Sequence, residues 1–101
     1  KYPPFYRLIK FSLRHKDYII LNDAAQEFAE LLRNSFGQRI LGPEFPMVAR
    51  MRGVYLKDVL LKLEKGFTTN KAREEINAVI QVFNSGNQYK SVRIVVDVDP
   101  L

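Results

Sequence analysis

Alternation of apolar and polar residues predicts strands at both ends of the chain. Between Phe5 and Arg14, Ile9, Phe11 and Leu13 fall on one side of the chain and polar residues fall mostly on the other. This period of two is typical of a half-buried strand. The last predicted strand has the same period, and its apolar face comprises Val92, Ile94, Val96 and Val98.

Two other segments carry apolar residues at helical spacing. Asp23 with Gln26 three residues later resembles a capping box, which predicts a first helix that begins there and ends at Gly37. The second helix is predicted to begin near residue 69 or 70 and to end before Gly86. The apolar stripes are Ala25, Phe28, Ala29, Leu32 and Phe36 in the first helix, and Ala72, Ile76, Val79, Ile80 and Phe83 in the second.

Between the helices, prolines interrupt the chain at Gly42-Pro43 and at Pro46. Residues 47 to 52 and 54 to 64 then have the pattern of two strands joined near Gly53. The predicted order is strand, helix, strand, strand, helix, strand. This order predicts an α+β, ferredoxin-like (βαββαβ) sandwich, in which two helices cover one face of a four-stranded antiparallel sheet.

The other face of the predicted sheet is open and carries aliphatic and cationic side chains. Only Tyr6 lies near its edge, so stacking of nucleobases on aromatic side chains of this sheet is not expected. The mixture instead predicts a face that packs partly on another domain. The residues predicted on it are Leu8, Lys10, Ser12, Arg14, Leu60, Lys62, Arg93 and Val95.

The length of 101 residues indicates one domain, and a hydrophobic content of 47% argues against a disordered tail. No apolar run approaches the roughly 20 residues that a membrane helix needs, so no membrane partner is expected. The absence of cysteine excludes disulfides and thiolate metal sites within these residues and fits a cytoplasmic protein. We expect residues 1 to 4 to be a linker from a larger protein.

Charge is the strongest functional signal in the composition. Sixteen Lys and Arg residues against eleven Asp and Glu residues give a net charge of +5, and residues 1 to 16 contain no acid. A basic sector attracts polyanions, of which nucleic acid is the commonest. A solvated face that aids solubility is the alternative explanation.

A second basic segment, MVARMRGVYLK at residues 47 to 57, also contains no acid. Arg50 and Arg52 are two apart on a predicted strand, so both should project to the same side, where guanidinium groups can bind phosphates. Tyr55 could add an aromatic surface, and Lys57 a further cation. The alternative is that the arginines bond to another domain or to the acidic chain end.

Candidates for catalysis or metal binding are weak. His15 is the only histidine and has no cysteine partner, so a catalytic triad is not expected, and we predict that His15 is a turn residue. Asp97 and Asp99 could face one side of a strand, but hard cations need more oxygen ligands than this pair offers. We predict no catalytic, cofactor-binding or metal site in this chain.

Five short sequences, in order and spanning nearly the whole chain, resemble the C-terminal domain of the primosomal replication restart helicases of the PriA family. They are YPPFYRLI at 2 to 9, LGP at 41 to 43, ARMRG at 49 to 53, LLK at 60 to 62 and VDVDP at 96 to 100. The family domain is similar in fold to a small-subunit ribosomal protein.

The resemblance implies a parent that is an ATP-dependent 3′-5′ DNA helicase, with ATP, Mg²⁺ and Zn²⁺ bound by its other domains. Such helicases act at stalled or branched forks, where they begin primosome assembly. The implied partners are branched DNA, the acidic tail of the single-stranded-DNA-binding protein, the helicase lobes of the same chain and other primosome proteins. A cytoplasmic, nucleoid-associated bacterial protein is therefore expected.

The residues expected to contact DNA are Arg50, Arg52, Tyr55, Lys57, Lys10 and Arg14. Lys71 and Arg73, at the start of the second helix, are expected to bind the acidic tail peptide, because helix amino termini attract anions. Many family members carry a further arginine after the glycine, where this chain has Val54, so its hairpin is less positive.

Three other functions remain open at this point. An RNA-binding or ribosomal-type protein could have the same topology, and so could a regulatory domain that binds a small molecule between paired units. A purely structural domain that braces the helicase lobes is the third.

Overall fold

The computed structural model describes residues 6 to 44, 50 to 64, 69 to 86 and 89 to 98. The element order confirms the predicted α+β, ferredoxin-like fold. No helix within these ranges is long and apolar enough to cross a membrane. The elements are β1 (Tyr6–His15), α1 (Tyr18–Phe36), a 3-10 turn (Gly37–Arg39), β2 (Ile40–Glu44), β3 (Arg50–Met51), β4 (Val54–Glu64), α2 (Thr69–Ser85) and β5 (Arg93–Val98).

The four main strands form an antiparallel sheet in the order β2-β4-β1-β5, and the short β3 pairs with β4. In the centre of the sheet, Phe11 lies opposite Val59 on one side and Val96 on the other. Because side chains alternate between faces, this register puts Phe11 on the helix side and Ser12 on the open side. The pairing confirms that the residues predicted on the open face lie there.

Aromatic rings join the sheet to both helices in the core. The Phe28 ring of α1 packs edge-to-face against Phe11 of β1 and Phe83 of α2, with centroid separations of 5.3 Å in each case. Such edge-to-face pairs add to the stabilisation from burial alone. The predicted helix stripes are confirmed, with Ile80 half-buried and the others buried.

The first helix begins earlier than the sequence predicts. The Asp17 carboxylate accepts hydrogen bonds from the backbone N–H groups of Ile19 (2.9 Å) and Ile20 (3.3 Å), so Asp17 and not Asp23 is the cap. Tyr18 and the two isoleucines have high strand propensity, so the sequence does not predict a helical turn at these residues. The predicted end is confirmed, since the Gly37 N–H bonds to the Arg33 carbonyl at a positive φ of 64°.

The segment predicted as a proline-rich interruption contains a strand. Ile40–Glu44 pairs with β4 on the outer edge of the sheet, with a register shift between Leu41 and Glu44. Pro43 is tolerated there because an edge strand has one side that needs no ladder hydrogen bond. Of the predicted strand at 47 to 52, residues 47 to 49 lie outside the described residues, as do the predicted linker residues 1 to 4.

Candidate functional site

The hairpin between β3 and β4 turns at Arg52 and Gly53. Their φ angles are 54° and 80°, and Met51 pairs with Val54 across the turn. Two positive φ angles are typical of a type I′ hairpin turn. Arg52 therefore lies in the turn and not in a strand. The prediction that it projects to the same side as Arg50 from one extended strand is wrong.

A groove of about 450 Å³ lies beside this turn, at one end of the open sheet face. We call it the cationic groove, because the described residues of its lining include four cations and no carboxylate. The cations come from three different parts of the fold: the end of β1, the hairpin turn and the start of β5. The lining residues are Arg14, His15, Lys16, Arg52, Val54, Leu56, Ser91 and Arg93.

Arg14 and Arg93 lie directly opposite each other on neighbouring strands of the groove. Like charges in this position destabilise a sheet, by about the same few tenths of a kcal/mol that opposite charges contribute. Both side chains are exposed, and neither has an ion pair or hydrogen bond to the residues that the structure describes. The groove thus holds positive charge that its neighbours within the described ranges do not neutralise.

The floor of the groove is aliphatic. Leu56 is buried, at 9% exposure, and Val54 is half-buried. Both residues lie on the open side of β4, as the pairing of Leu56 with Arg14 requires. The groove therefore combines a cationic rim with an apolar base.

His15 joins the end of β1, which carries Arg14, to the turn before β5, which carries Arg93. His15 ends β1 and is 8% exposed; its Nε2 lies 2.7 Å from the Ser91 hydroxyl, and its Nδ1 accepts the Asp17 N–H at 2.8 Å. Because Nδ1 is an acceptor, the neutral ring carries its proton on Nε2 and donates it to Ser91. The prediction that His15 is a turn residue is wrong: it ties β1 and the start of α1 to the turn before β5.

That turn is also anchored to the core. The Val92 N–H bonds to the Tyr89 carbonyl at 3.0 Å, and the Tyr89 ring stacks on Phe83 with an interplanar angle of 10°. Burial, with smaller contributions from Glu27 and Asp23, raises the pKa of the Tyr89 phenol above its usual value. The uncharged ring fixes the turn from which Arg93 extends.

Lys57 lies on the opposite face from the groove. It pairs with Leu13 on the helix side of the sheet, is 7% exposed, and donates a hydrogen bond to the Asn22 side chain of α1. An ammonium group held in this way is not available to a phosphate in solution. The assignment of Lys57 to the DNA-binding surface is therefore wrong, and the residue joins β4 to α1.

Replacing Lys57 with alanine should lower stability by about 1–3 kcal/mol, because the Asn22 oxygen loses its donor and the lysine stem loses its packing. Chemical denaturation measures this change, and fork binding should stay the same. Lys62→Ala, on the exposed side of the same strand, should cost less. A drop in DNA affinity for Lys57→Ala at unchanged stability would contradict the buried role.

The other predicted DNA contacts divide between the two faces. Tyr55 is half-buried on the helix side, where its ring packs edge-to-face on Tyr18 at 5.5 Å, and it does not line the cationic groove. Lys10 is on the open face but opposite Asp97, outside the groove. The Arg50 backbone pairs with Tyr55, and its role in DNA binding stays a prediction.

The residues predicted to bind a peptide, Lys71 and Arg73, are exposed in the first turns of α2, on the other side of the sheet from the groove. Glu74 follows them and is also exposed. Their role stays a prediction. Asp97 belongs to no group of three potential metal ligands within the described residues, and Asp99 lies outside them.

The sequence predicts Arg14 and Arg52 as DNA contacts without connecting them. The other groove residues Lys16, Arg93, Val54 and Leu56 lie outside that predicted set. The predicted topology alone could have connected Arg14 with Arg93. In a ferredoxin-like sheet the first and last strands are antiparallel neighbours, so the end of β1 meets the start of β5. A cation at each of those ends predicts a shared site.

Comparisons with known proteins agree with both fold and sequence signals. A de novo designed protein, Foldit4, has a similar structure, with a TM-score of 0.64 at 7% identity over 92% of this chain and 94% of that one, which supports the fold alone. No curated protein matches the chain. The family model described as primosomal protein N C-terminal domain matches residues 1–101. The chain therefore belongs to the primosomal protein N C-terminal domain family.

Proposed function

We propose that this domain contacts branched DNA during replication restart and that the cationic groove binds DNA phosphates. Membership of the primosomal protein family supports a role in primosome assembly and replication restart. The observation that carries the DNA-binding step is the group of four cations in one groove, where the part of the chain that the structure describes contributes no carboxylate to the lining. Guanidinium groups bind phosphate oxygens through charge-assisted hydrogen bonds.

Two features of the cationic groove lower the stability of the free protein, and this supports a binding role. Arg14 opposite Arg93 is unfavourable in the free protein, and Arg52 occupies a left-handed conformation that Gly, Asn and Asp adopt more readily. Both features reduce stability at one place on the surface. A bound anion would relieve the repulsion between the arginines, so the free energy lost in folding contributes to binding.

Arg52→Asn tests this proposal with little risk to the fold, since asparagine suits the first position of a type I′ turn. We expect stability to change by less than about 0.5 kcal/mol. Fork affinity should fall, and the slope of log affinity against log salt should decrease by about one, because one phosphate contact is lost. Fluorescence anisotropy with a labelled fork measures both quantities. Unchanged affinity and slope would contradict a phosphate contact by Arg52.

For the acidic tail of the single-stranded-DNA-binding protein, we propose the exposed start of α2. Lys71→Glu with Arg73→Glu should abolish binding of a tail peptide by reversing the local charge. Arg93→Glu is the matched control, because it changes the groove and leaves α2 intact. Calorimetric titration measures the affinity. If the double variant binds the peptide like the unmodified chain, the tail binds elsewhere.

Contact with the helicase lobes is proposed for the open sheet face. Its exposed aliphatic side chains include Leu41, at 46% exposure, and Val95, at 37%. Apolar residues of this kind favour packing against another protein surface. Bracing of the lobes is thus a second function of the same face, compatible with DNA binding at its cationic end.

The remaining proposals concern the parent protein. We propose that it is an ATP-dependent 3′-5′ DNA helicase of the bacterial cytoplasm, associated with the nucleoid and with other primosome proteins. ATP, Mg²⁺ and Zn²⁺ would bind to its other domains. A structured RNA included in the fork-binding assay tests the RNA-binding alternative, which predicts a preference for the RNA.

A further inference from the structure

We infer that the cationic groove accepts one unpaired nucleotide, with its own phosphate and the adjacent phosphates of the strand on the arginines of the rim, and its sugar and base on Val54 and Leu56. The inference rests on the proposed function and narrows the ligand from DNA phosphates in general to a nucleotide outside a duplex. It follows from the combination of charge, shape and apolar floor in one groove.

The volume of the groove fits a ligand larger than a phosphate ion. At about 450 Å³ it falls within the range of small-molecule sites, which is roughly 300–1,000 Å³. A phosphate alone would be held at the rim by Arg14, Arg52 and Arg93 and would leave the floor in contact with water. A ligand with an apolar part beside its phosphate would use the whole groove.

The floor favours an unpaired nucleotide over one in a duplex. Leu56 is buried and Val54 is half-buried, whereas the arginines of the lining are exposed, so a group must enter the groove to contact the aliphatic side chains. A base within a duplex is stacked between its neighbours and cannot enter, whereas an unpaired base can turn away from its strand. Branch points supply unpaired nucleotides of this kind.

The side chains that line the cationic groove explain why no preference for a particular DNA base is expected. Among the described residues of the lining, the polar side chains besides the cations are His15 and Ser91, and these bond to each other. Aliphatic floor residues provide no hydrogen bonds that distinguish one base edge from another. The groove would therefore recognise that a nucleotide is unpaired rather than which base it carries.

The first test is a methyl NMR titration of the 101-residue chain with a deoxynucleoside monophosphate, deoxyribose 5-phosphate and inorganic phosphate. The nucleotide should bind about fivefold tighter than inorganic phosphate, through burial of apolar surface, and should shift the methyl signals of Val54 and Leu56. Equal affinities without methyl shifts would overturn the inference, while phosphate binding itself would leave the proposed function standing. Absence of binding by all three ligands, with no binding to forks, would contradict both.

The second test uses DNA and matched variants. Val54→Ser should reduce the preference for a fork with an unpaired nucleotide over the same fork with an abasic spacer. Val82→Ser, at an exposed position of α2, should leave this preference unchanged. Because the comparison is a ratio within one protein, a change in overall stability does not affect it. An equal affinity for both forks in the unmodified chain would overturn the inference. An acidic peptide that displaces the nucleotide and shifts the same methyl signals more strongly would overturn it too.

Discussion

Reversal of the charge at Arg93 is expected to weaken fork binding about tenfold at low salt while slightly raising the stability of the domain. Arg93→Glu removes one phosphate contact and adds a negative charge to the groove, and the loss of a charge-assisted hydrogen bond of about 1.4 kcal/mol corresponds to a factor of ten. The new glutamate lies opposite Arg14, so a repulsive pair becomes an attractive one. The gain in stability should be about 0.2–1 kcal/mol.

The opposite signs of these two effects make the prediction specific. Anisotropy gives the affinity and chemical denaturation gives the stability of the same sample. Arg73→Glu is the matched control, since it makes the same change at an exposed position on α2 and should leave fork affinity nearly constant. A loss of stability for Arg93→Glu with unchanged fork affinity would mean that Arg93 supports the fold and not the binding.

Truncation of Phe28 to alanine is expected to cost about 3–5 kcal/mol of stability. The ring is fully buried and contacts Phe11 on the sheet and Phe83 on α2, so its removal opens a cavity where all layers of the domain meet. Domains of this size have a total stability of about 5–15 kcal/mol. The variant should therefore be close to unfolding at physiological temperature, as thermal denaturation would record.

Phe28→Leu is the control, because it keeps most of the apolar volume and should cost less than the alanine change. Fork affinity measured well below the melting temperature should stay near that of the unmodified chain for both variants. A loss of less than about 1 kcal/mol for Phe28→Ala would contradict the central place of this ring in the core.

Most of the fold could be predicted from hydrophobic periodicity. The bounds of β4 and α2 follow from strict periods and from glycines that lie beyond their ends. The start of α1 could not be predicted, because residues with strand propensity occupy its first turn and the Asp17 cap is visible only through its hydrogen bonds. β2 was missed because its glycine and proline resemble a loop, although they are tolerated at a sheet edge.

The site was only partly predictable, and the errors have distinct physical causes. The alternation that places Val59 on the helix side also places Lys57 there, but the DNA-binding prediction follows the charge of Lys57 and not its position. The sequence pattern predicts a strand at Arg52, because the positive φ of this residue depends on the hairpin turn as a whole. Arg14 lies opposite Arg93 because of the register between β1 and β5, and this register cannot be predicted from the local sequence of either strand.

The salt dependence of fork binding tests the central proposal most directly. Anisotropy of the 101-residue chain with a three-way fork, a matched duplex and a matched single strand should be recorded across a salt series. If the cationic groove binds phosphates at a branch, fork affinity will exceed duplex affinity, and log affinity will fall against log salt with a slope near −3, as about three phosphate contacts require. Fork binding that is absent at low salt, or a slope near zero, would contradict the proposal.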